Sequence, residues 1–406
     1  LTFGTADTLC MSHRCVICTQ PYTSVKRHRA SLPITARQKS MTESNNLISL
    51  LRLYLIDGLG PRTYCNLKSV FGAPANVFTA TAKELRAVPG IGPQVADRIL
   101  CSNTSAAEAI REQCDQHNIE IITPENEHFG DLLQETYTPP LLLFRRGIPR
   151  IASKCVAVIG TRRCSPYGRR IAREMSAKLA QCGYTIVSGL AYGIDAAAHE
   201  GALESGGNTL AVLGSGLLQI YPRQHQDLAD RISGQGALLS EFAPNVGPNK
   251  THFPQRNRII SGLSSATIVV QAAERSGALI TANLALEQGR EVFAIPGPVN
   301  DYRSRGCHQL IRDGAYLAES ADDILSVMEN APVSQIMRGD AEEQTVTHEL
   351  SNSELIVYSL VEESSTSVDY LIQSSELVVS EVLQTLTQLE LKRLIVRDST
   401  QYVSRA

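Results

Sequence analysis

From residue 155 to residue 327, short apolar runs alternate with segments of helical periodicity. The runs are VAVIG, TIVSG, TLAVLG, ALLSE, TIVVQ and VFAIPG, and each is followed by a glycine-rich turn or a helix. Continuous Val/Ile/Leu runs, as opposed to in–out alternation, are the pattern of strands covered on both faces, and helices between them point to a parallel sheet. The pattern predicts a doubly wound, Rossmann-like α/β domain over residues 151–330. Ligands of such sheets bind outside the carboxyl ends of the strands, where these turns lie.

The flanks read differently. Residues 45–101 have a helical pattern interrupted by two glycine turns, DGLGPRT at 57–63 and VPGIGPQVA at 88–96, each resembling a helix-hairpin-helix turn. In such a turn glycine lets the backbone approach a phosphate, and the N–H groups opening the next helix face the anion. An ordinary tight turn between packed helices is the plainer alternative. Residues 102–150 read as a connector packing on the central domain, with a helix at 105–116, a short strand at 120–123 and the apolar run LLLF at 141–144. Residues 331–350 are polar and aperiodic, as a linker is. Residues 351–406 predict helices at 354–362, 368–373 and 377–391 and then a strand pair, a winged-helix-like layout. This last segment carries eight Asp/Glu against four Lys/Arg, so contact with protein is expected of it more than contact with DNA. Residues 1–44 show neither period and are expected to be disordered, with Met41 reading as a natural start. Cys10, His13, Cys15 and Cys18 invite a zinc reading, but a second half with matching spacing is missing.

A length of 406 residues implies several modules, and 43% hydrophobic content supports real cores. No uncharged apolar run of about 20 residues occurs, so no membrane span is expected. The ten cysteines lack regular spacing, so neither a disulfide framework nor export is indicated, and the cytosol is the expected compartment. The formal net charge is −3. Any polyanion must therefore be held by a local basic patch.

The turns supply the candidates for that patch. The first strand ends in GTRRCSPYG at 160–168. A dinucleotide site would need G-x-G-x-x-G and an acid ending the second strand, but the second strand ends in Ser188-Gly189. A P-loop is missing too. A loop bearing hydroxyls and arginines at a helix N-terminus suits a linear phosphate. Arg162, Arg163, Arg169, Arg170 and Arg173 lie close together with no acid among them. The last three read as a solvated helix face, which leaves Arg162 and Ser165 as the phosphate candidates. In the second turn, SGLAYGIDAAAHEGAL at 188–203, small residues allow a backbone to approach closely. Asp195 and His199, four apart on one helix face, are expected to cap and orient the loop, because the local sequence supplies no further metal ligands. A third turn, LGSGLLQIYP at 213–222, offers the Tyr221 ring. The stretch NKTHFPQRNRIISGLS at 249–264 combines Lys250, Arg256 and Arg258 with Phe253 and has no acid. Cations beside an aromatic form the pattern of single-strand binding; a core Phe253 with arginines paired elsewhere is the alternative. The turn SGALITANLALEQGR at 276–290 and the loop PGPVNDYRSRGCHQLIRDGA at 296–315 complete the rim. No nucleophile, base and orienting acid fall together in a motif, so no catalysis and no cofactor is expected.

Taken in order, GTRRCSPYG, SGLAYGIDAAAH, GSGLLQIYP, HFPQRNRIISGLS, SGALITA and GREVFAIPG resemble the DNA-processing protein A family, DprA, also called Smf. The resemblance implies binding of single-stranded DNA, protection of incoming strands in natural transformation, loading of the RecA recombinase, and a homodimer through the Rossmann domain. Carried over by residue, it implies a phosphate loop of Gly160, Arg162, Ser165 and Gly168, joined by Ser188, Gly189 and Gly193. Lys250, Arg256 and Arg258 would line a groove, Phe253 would stack a base, and Asp195, His199 and Asn257 would orient the loops. Gln271-Ala272 stands where the family pattern has Glu-Ala. The domain also resembles Rossmann-type nucleotide phosphoribohydrolases, but their PGGxGTxxE signature is missing, which ranks an enzyme second.

Overall fold

A nine-stranded sheet carries the larger part of the chain, in the order β1-β2-β6-β5-β4-β3-β7-β8-β9. The computed structural model describes residues 36–126, 128–148, 154–329, 351–361, 366–375, 377–392, 394–397 and 402–405. Two units separate, Leu1–Ala321 and Asp322–Ala406. The residues proposed as zinc ligands and the expected linker at 331–350 lie outside the described residues. Among those described, no group of three or more His, Cys, Asp or Glu could hold a metal, and no helix is long and apolar enough to cross a membrane.

The larger unit opens with six helices: α1 (Ala36–Tyr54), α2 (Pro61–Phe71), α3 (Pro74–Val77), α4 (Ala82–Arg86), α5 (Pro93–Cys101) and α6 (Ser105–Gln116). Residues 36–44, expected to be disordered, form the first turns of α1. They hold no Gly or Pro, and Ala36, Arg37, Gln38, Lys39 and Met41 are good helix formers. The two glycine turns are built alike. Gly58 and Gly90 take positive φ of 85° and 89°, and Pro61 and Pro93 open the following helices, where a missing N–H costs nothing. The helices share a buried apolar core with the sheet, running from Leu50, Leu53 and Ile99 through Phe144 to Ala211 and Leu238. The Tyr54 hydroxyl locks this contact by donating to Glu241 O (3.0 Å) and accepting from Ala243 N (3.0 Å).

The sheet follows as β1 (Glu120–Ile122), α7 (Asp131–Gln134), β2 (Leu143–Gly147), β3 (Cys155–Ile159), α8 (Pro166–Gln181), β4 (Thr185–Ser188), α9 (Ile194–Glu204), β5 (Thr209–Leu213), α10 (Gln226–Gln235), β6 (Ala237–Ser240), α11 (His252–Leu263), β7 (Ala266–Val269), α12 (Gly277–Glu287), β8 (Glu291–Ala294), α13 (Arg305–Arg312) and β9 (Tyr316–Leu317). All six expected strands are present. Strands β3 to β9 pair in parallel, and β1 and β2 add an antiparallel edge on β6. Residues 102–150 thus contribute two strands to the sheet itself. From β3 the chain steps through β4 and β5 to β6, then returns to β7 on the other side of β3. The crevice at the carboxyl ends of β3 and β7 is the topological switch point, where such sheets open to ligands.

The smaller unit contains α14 (Ala321–Met328), α15 (Asn352–Leu360), β10 (Thr366–Ser367), α16 (Val368–Ser374), α17 (Val379–Leu391), β11 (Ile395–Arg397) and β12 (Tyr402–Arg405). Its three-stranded sheet, β10-β12-β11, and its helices enclose Val357, Leu371, Val382, Leu386 and Val403, a winged-helix domain. Ser351 and Glu354 form a capping box that starts α15.

Candidate nucleic-acid interface

A cavity of about 450 Å³ opens at the switch point, lined by the end of β3, the loop after it, the first turns of α11 and α12, and Tyr302. Of the residues expected at a site, it gathers Gly160, Arg162, Asp195, Phe253, Arg256 and Asn257. Thr161, Arg163, Ser276, Gly277 and Tyr302 join them. Ser276 caps α12, its hydroxyl accepting from Ala278 N at 3.3 Å, so the positive end of an 11-residue helix borders the cavity.

The phosphate-loop residues divide into those that face the cavity and those that hold it up. Arg162 and Arg163 are exposed on its rim. Ser165 is buried and caps α8: its hydroxyl accepts from Gly168 N (3.0 Å) and from Gln271 Nε2 (2.8 Å), while Ser165 N donates to Gln271 Oε1 (2.9 Å). Gln271 therefore fastens the loop from beneath through both ends of its amide. A Cβ on Gly168 would lie 2.2 Å from that amide oxygen. The Ser188 hydroxyl, fully buried, donates to Val158 O at 2.6 Å. Gly193 has φ +81° and passes so near Thr161 O that a Cβ would stand 2.4 Å away. Ser165, Gly168, Ser188 and Gly193 build the loops and do not line the cavity. Their small size serves packing of loop on loop, which a one-dimensional reading cannot separate from ligand contact.

The arginines of α11 correct the sequence reading most. Arg256 is 4% exposed; its Nη1 donates to Gly189 O at 2.7 Å and to Val212 O, and its Nε to Asn257 Oδ1 at 3.1 Å. It ties the ends of β4 and β5 together beneath the site. Burial lowers its pKa to about 10, with Arg162 acting in the same direction and Asp195 opposing; it stays cationic at neutral pH. Arg258 lies away from the cavity, donating to Thr138 O at 2.6 Å and to both oxygens of Glu241 at 2.5 and 2.6 Å. Two residues along a helix turn by about 200°, so Arg256 and Arg258 cannot face one groove. Lys250, in the turn before α11, is exposed and forms no ion pair among the described residues. Arg169 and Arg170 are exposed, as a solvated face requires, and Arg173 pairs with Glu204.

Asp195 lies in the first turn of α9, where Gly193 is the cap. Burial raises its pKa, opposed by Arg256, by the N–H groups of Ala191 and Gly189, and by Arg162. Its carboxylate thus holds the 189–191 turn over the Arg256 guanidinium. His199 is fully buried, and its Nδ1 lies 2.6 Å from Thr209 Oγ1. The Thr209 hydroxyl donates to Ile186 O, so Nδ1 carries the proton, and burial pushes the imidazole pKa down to about 3. It couples α9 to β5 and does not touch the loops it was expected to orient.

Phe253 is half-buried. The Arg162 guanidinium lies 5.2 Å from its ring centroid, and a Cβ on Gly214 would stand 2.8 Å from the ring. The ring seats Arg162 and, in this state, is not an open platform. A narrow second cleft shares Arg162, Ala191, Phe253 and Arg256 with the cavity and adds Gly189, Tyr192, Tyr221 and Pro222. Tyr192 was missed from sequence, although an aromatic between Ala191 and Gly193 in a tight loop has no core to enter.

Chemically, the arrangement is an anion site. Arg162 and Arg163 on the rim form no ion pair among the described residues, Arg256 adds charge from below, and a helix N-terminus faces in; Lys250, exposed before α11, does not line the cavity. The one lining carboxylate, Asp195, lies in the field of the Arg256 guanidinium.

Comparison with known proteins gives three family matches: DNA recombination-mediator protein A over residues 120–329, a helix-hairpin-helix motif over 74–102, and the DprA winged helix domain over 341–399. The chain is 40% identical over 311 residues to Protein Smf of Escherichia coli K12, covering 74% of this chain and 82% of that one. It is 47% identical over 198 residues to DNA processing protein DprA of Streptococcus pneumoniae, covering 48% and 70%. An X-ray structure of DNA processing protein A from Streptococcus pneumoniae superposes with a TM-score of 0.61 at 35% identity, covering 70% of this chain and 97% of the other.

Proposed function

Since the chain belongs to the DNA recombination-mediator protein A family, DprA/Smf, we propose that it binds single-stranded DNA by the sugar-phosphate backbone at the switch-point cavity, without covalent chemistry. The observation that carries this reading is the pair of exposed cations Arg162 and Arg163, which line a cavity of about 450 Å³ and form no ion pair among the described residues, in a chain of net charge −3. A cavity of that volume takes a few groups of a flexible strand and excludes a stiff duplex. In this reading the protein protects incoming strands during natural transformation and loads RecA onto them, in the cytoplasm. A homodimer through the Rossmann domain is supported by apolar side chains left exposed on α12 and the sheet edge, Leu286 and Leu317. The winged-helix unit, with Val379 and Leu383 exposed beside Glu381 and Glu390 on α17, suits a protein contact more than a phosphate backbone.

Competition between unlabelled single-stranded and duplex oligonucleotides for a bound fluorescent strand tests the reading. The single strand is expected to compete at far lower concentration, and equal competition overturns it. Asp195, a lining carboxylate with a raised pKa, is the one handle for a phosphoribohydrolase; release of free base from nucleoside monophosphates would favour that alternative.

A further inference from the structure

Two depressions meet at Arg162. The wide one is the cavity just described. The narrow one, bounded also by Tyr192 and Tyr221, encloses only about 20 Å³, room for about one water and too little for a base. Its rims are the notable part: Tyr192 is 40% and Tyr221 42% exposed, while the nearer ring, Phe253, lies under Arg162.

Tyr192 is held in place by a chain of contacts that its own packing does not require. Its hydroxyl donates to Gln224 Oε1 at 2.6 Å, and its ring meets His225 edge-on at 4.9 Å. His225 Nδ1 in turn donates to Leu190 O at 2.9 Å. Leu190 is fully buried yet adopts φ +56°, a left-handed conformation that a branched side chain takes at a cost and that clusters at functional sites. The strained residue reverses the chain so that Gly189 O reaches Arg256 and Tyr192 stands at the surface. An exposed ring fixed by a hydrogen bond and an edge contact has already lost its rotamer freedom, so stacking on it needs little further ordering. Tyr221, on the other rim, leans on Phe253 at 5.8 Å.

We propose that Tyr192, with Tyr221 across the cleft, is a second base platform, taking the base of the nucleotide adjacent to the one whose phosphate sits at Arg162. The proposal rests on the single-strand reading above. The strand runs from the cavity across Arg162, phosphate against guanidinium, and its next base lies on the exposed tyrosine faces at the mouth of the cleft. Stacking of this kind is indifferent to base identity, because every base has a π face.

The sequence supplies its own probe, since the chain contains no tryptophan. Full-length Tyr192→Trp carries a single indole at the platform. It is titrated with oligothymidylate and with an abasic oligomer of equal length and charge, while anisotropy reports binding of each. The expected result is indole quenching by oligothymidylate and not by the abasic strand. In parallel, Tyr192→Ala lowers the ratio of oligothymidylate to abasic affinity about tenfold, within the span reported for one stacked base, and Tyr192→Phe, which keeps the ring, restores it. Binding of oligothymidylate with an unchanged indole, or an unchanged affinity ratio in Tyr192→Ala, overturns the platform while leaving the phosphate reading intact. If Arg162→Ala binds both strands as the wild type does, the phosphate reading fails and the platform with it.

Discussion

Replacing Arg256 with alanine removes the cation beneath the site, strands two acceptors, Gly189 O and Val212 O, and takes away the nearby positive charge that favours the ionised Asp195 carboxylate. Each buried carbonyl left without a donor costs about 1–3 kcal/mol, and a buried charge that loses its partner costs about 3–5 kcal/mol. These overlap, because the carboxyl can protonate, so a net loss of about 3–5 kcal/mol is expected. For a unit this large, that lowers the melting temperature by on the order of 10 °C. The loss should depend on pH in a known direction. Burial holds the folded pKa of Asp195 above 3.8, so the folded state keeps a proton that the unfolded state gives up, and stability falls as pH rises through that window. Without Arg256, which draws the pKa down, the window widens upward. Removing Arg256 also lifts one of the influences depressing His199, which acts in the same direction. Urea unfolding of wild type and Arg256→Ala at about pH 5 and about pH 8 should therefore show a smaller deficit in acid. Adding Asp195→Asn to Arg256→Ala should recover part of the deficit near pH 8 and little near pH 5. A deficit below about 1 kcal/mol, or one equal at both pH values and untouched by Asp195→Asn, would refute the assignment of Arg256 as the buried strut.

Three further outcomes follow from other contacts. His199 is neutral in the fold, with its pKa pushed down to about 3 from 6.5, so stability should decline as pH falls below about 6.5, by up to about 1.4 kcal/mol per pH unit; His199→Asn should flatten that slope in urea titrations. Gly193→Ala, at φ +81° and against Thr161 O, should cost about 1–3 kcal/mol in thermal unfolding and displace the loop enough to weaken oligonucleotide binding measured by anisotropy. Arg258→Ala should destabilise the fold by about 1–3 kcal/mol, because the mostly buried Glu241 loses its charged donor, yet the salt dependence of DNA binding should match the wild type.

The sheet was legible because its strands are continuous β-branched runs and its turns are glycine-rich. Two kinds of strand escaped. β2 carries Arg145 and Arg146 and gains its partners β1 and β6 from distant sequence, and β9 is two residues long. At the site, sequence located the turns but could not sort the jobs within them. Arg256 and Arg258 look equivalent along the chain and are separated by helical phase into a buried strut and a remote ion pair. Gly168 and Gly193 look like phosphate cradles, but each is small because another part of the fold occupies the space where a Cβ would be. Gln271 stands where the family pattern has an acid. Its amide both donates to and accepts from Ser165, so the loop is fastened without a carboxylate beneath the anion site.

In the proposed binding mode, exposed cations at the switch point grip phosphates of a single strand. The most direct test is the affinity of a fluorescent single strand over a salt series for wild type, Arg162→Ala and Arg163→Ala. The logarithm of affinity should fall linearly with the logarithm of salt concentration, and each substitution should make the slope shallower by about 0.7, the contribution of one phosphate contact on single strands. Wild-type slopes in both variants, or an affinity that salt does not change, would rule out phosphate gripping at this cavity.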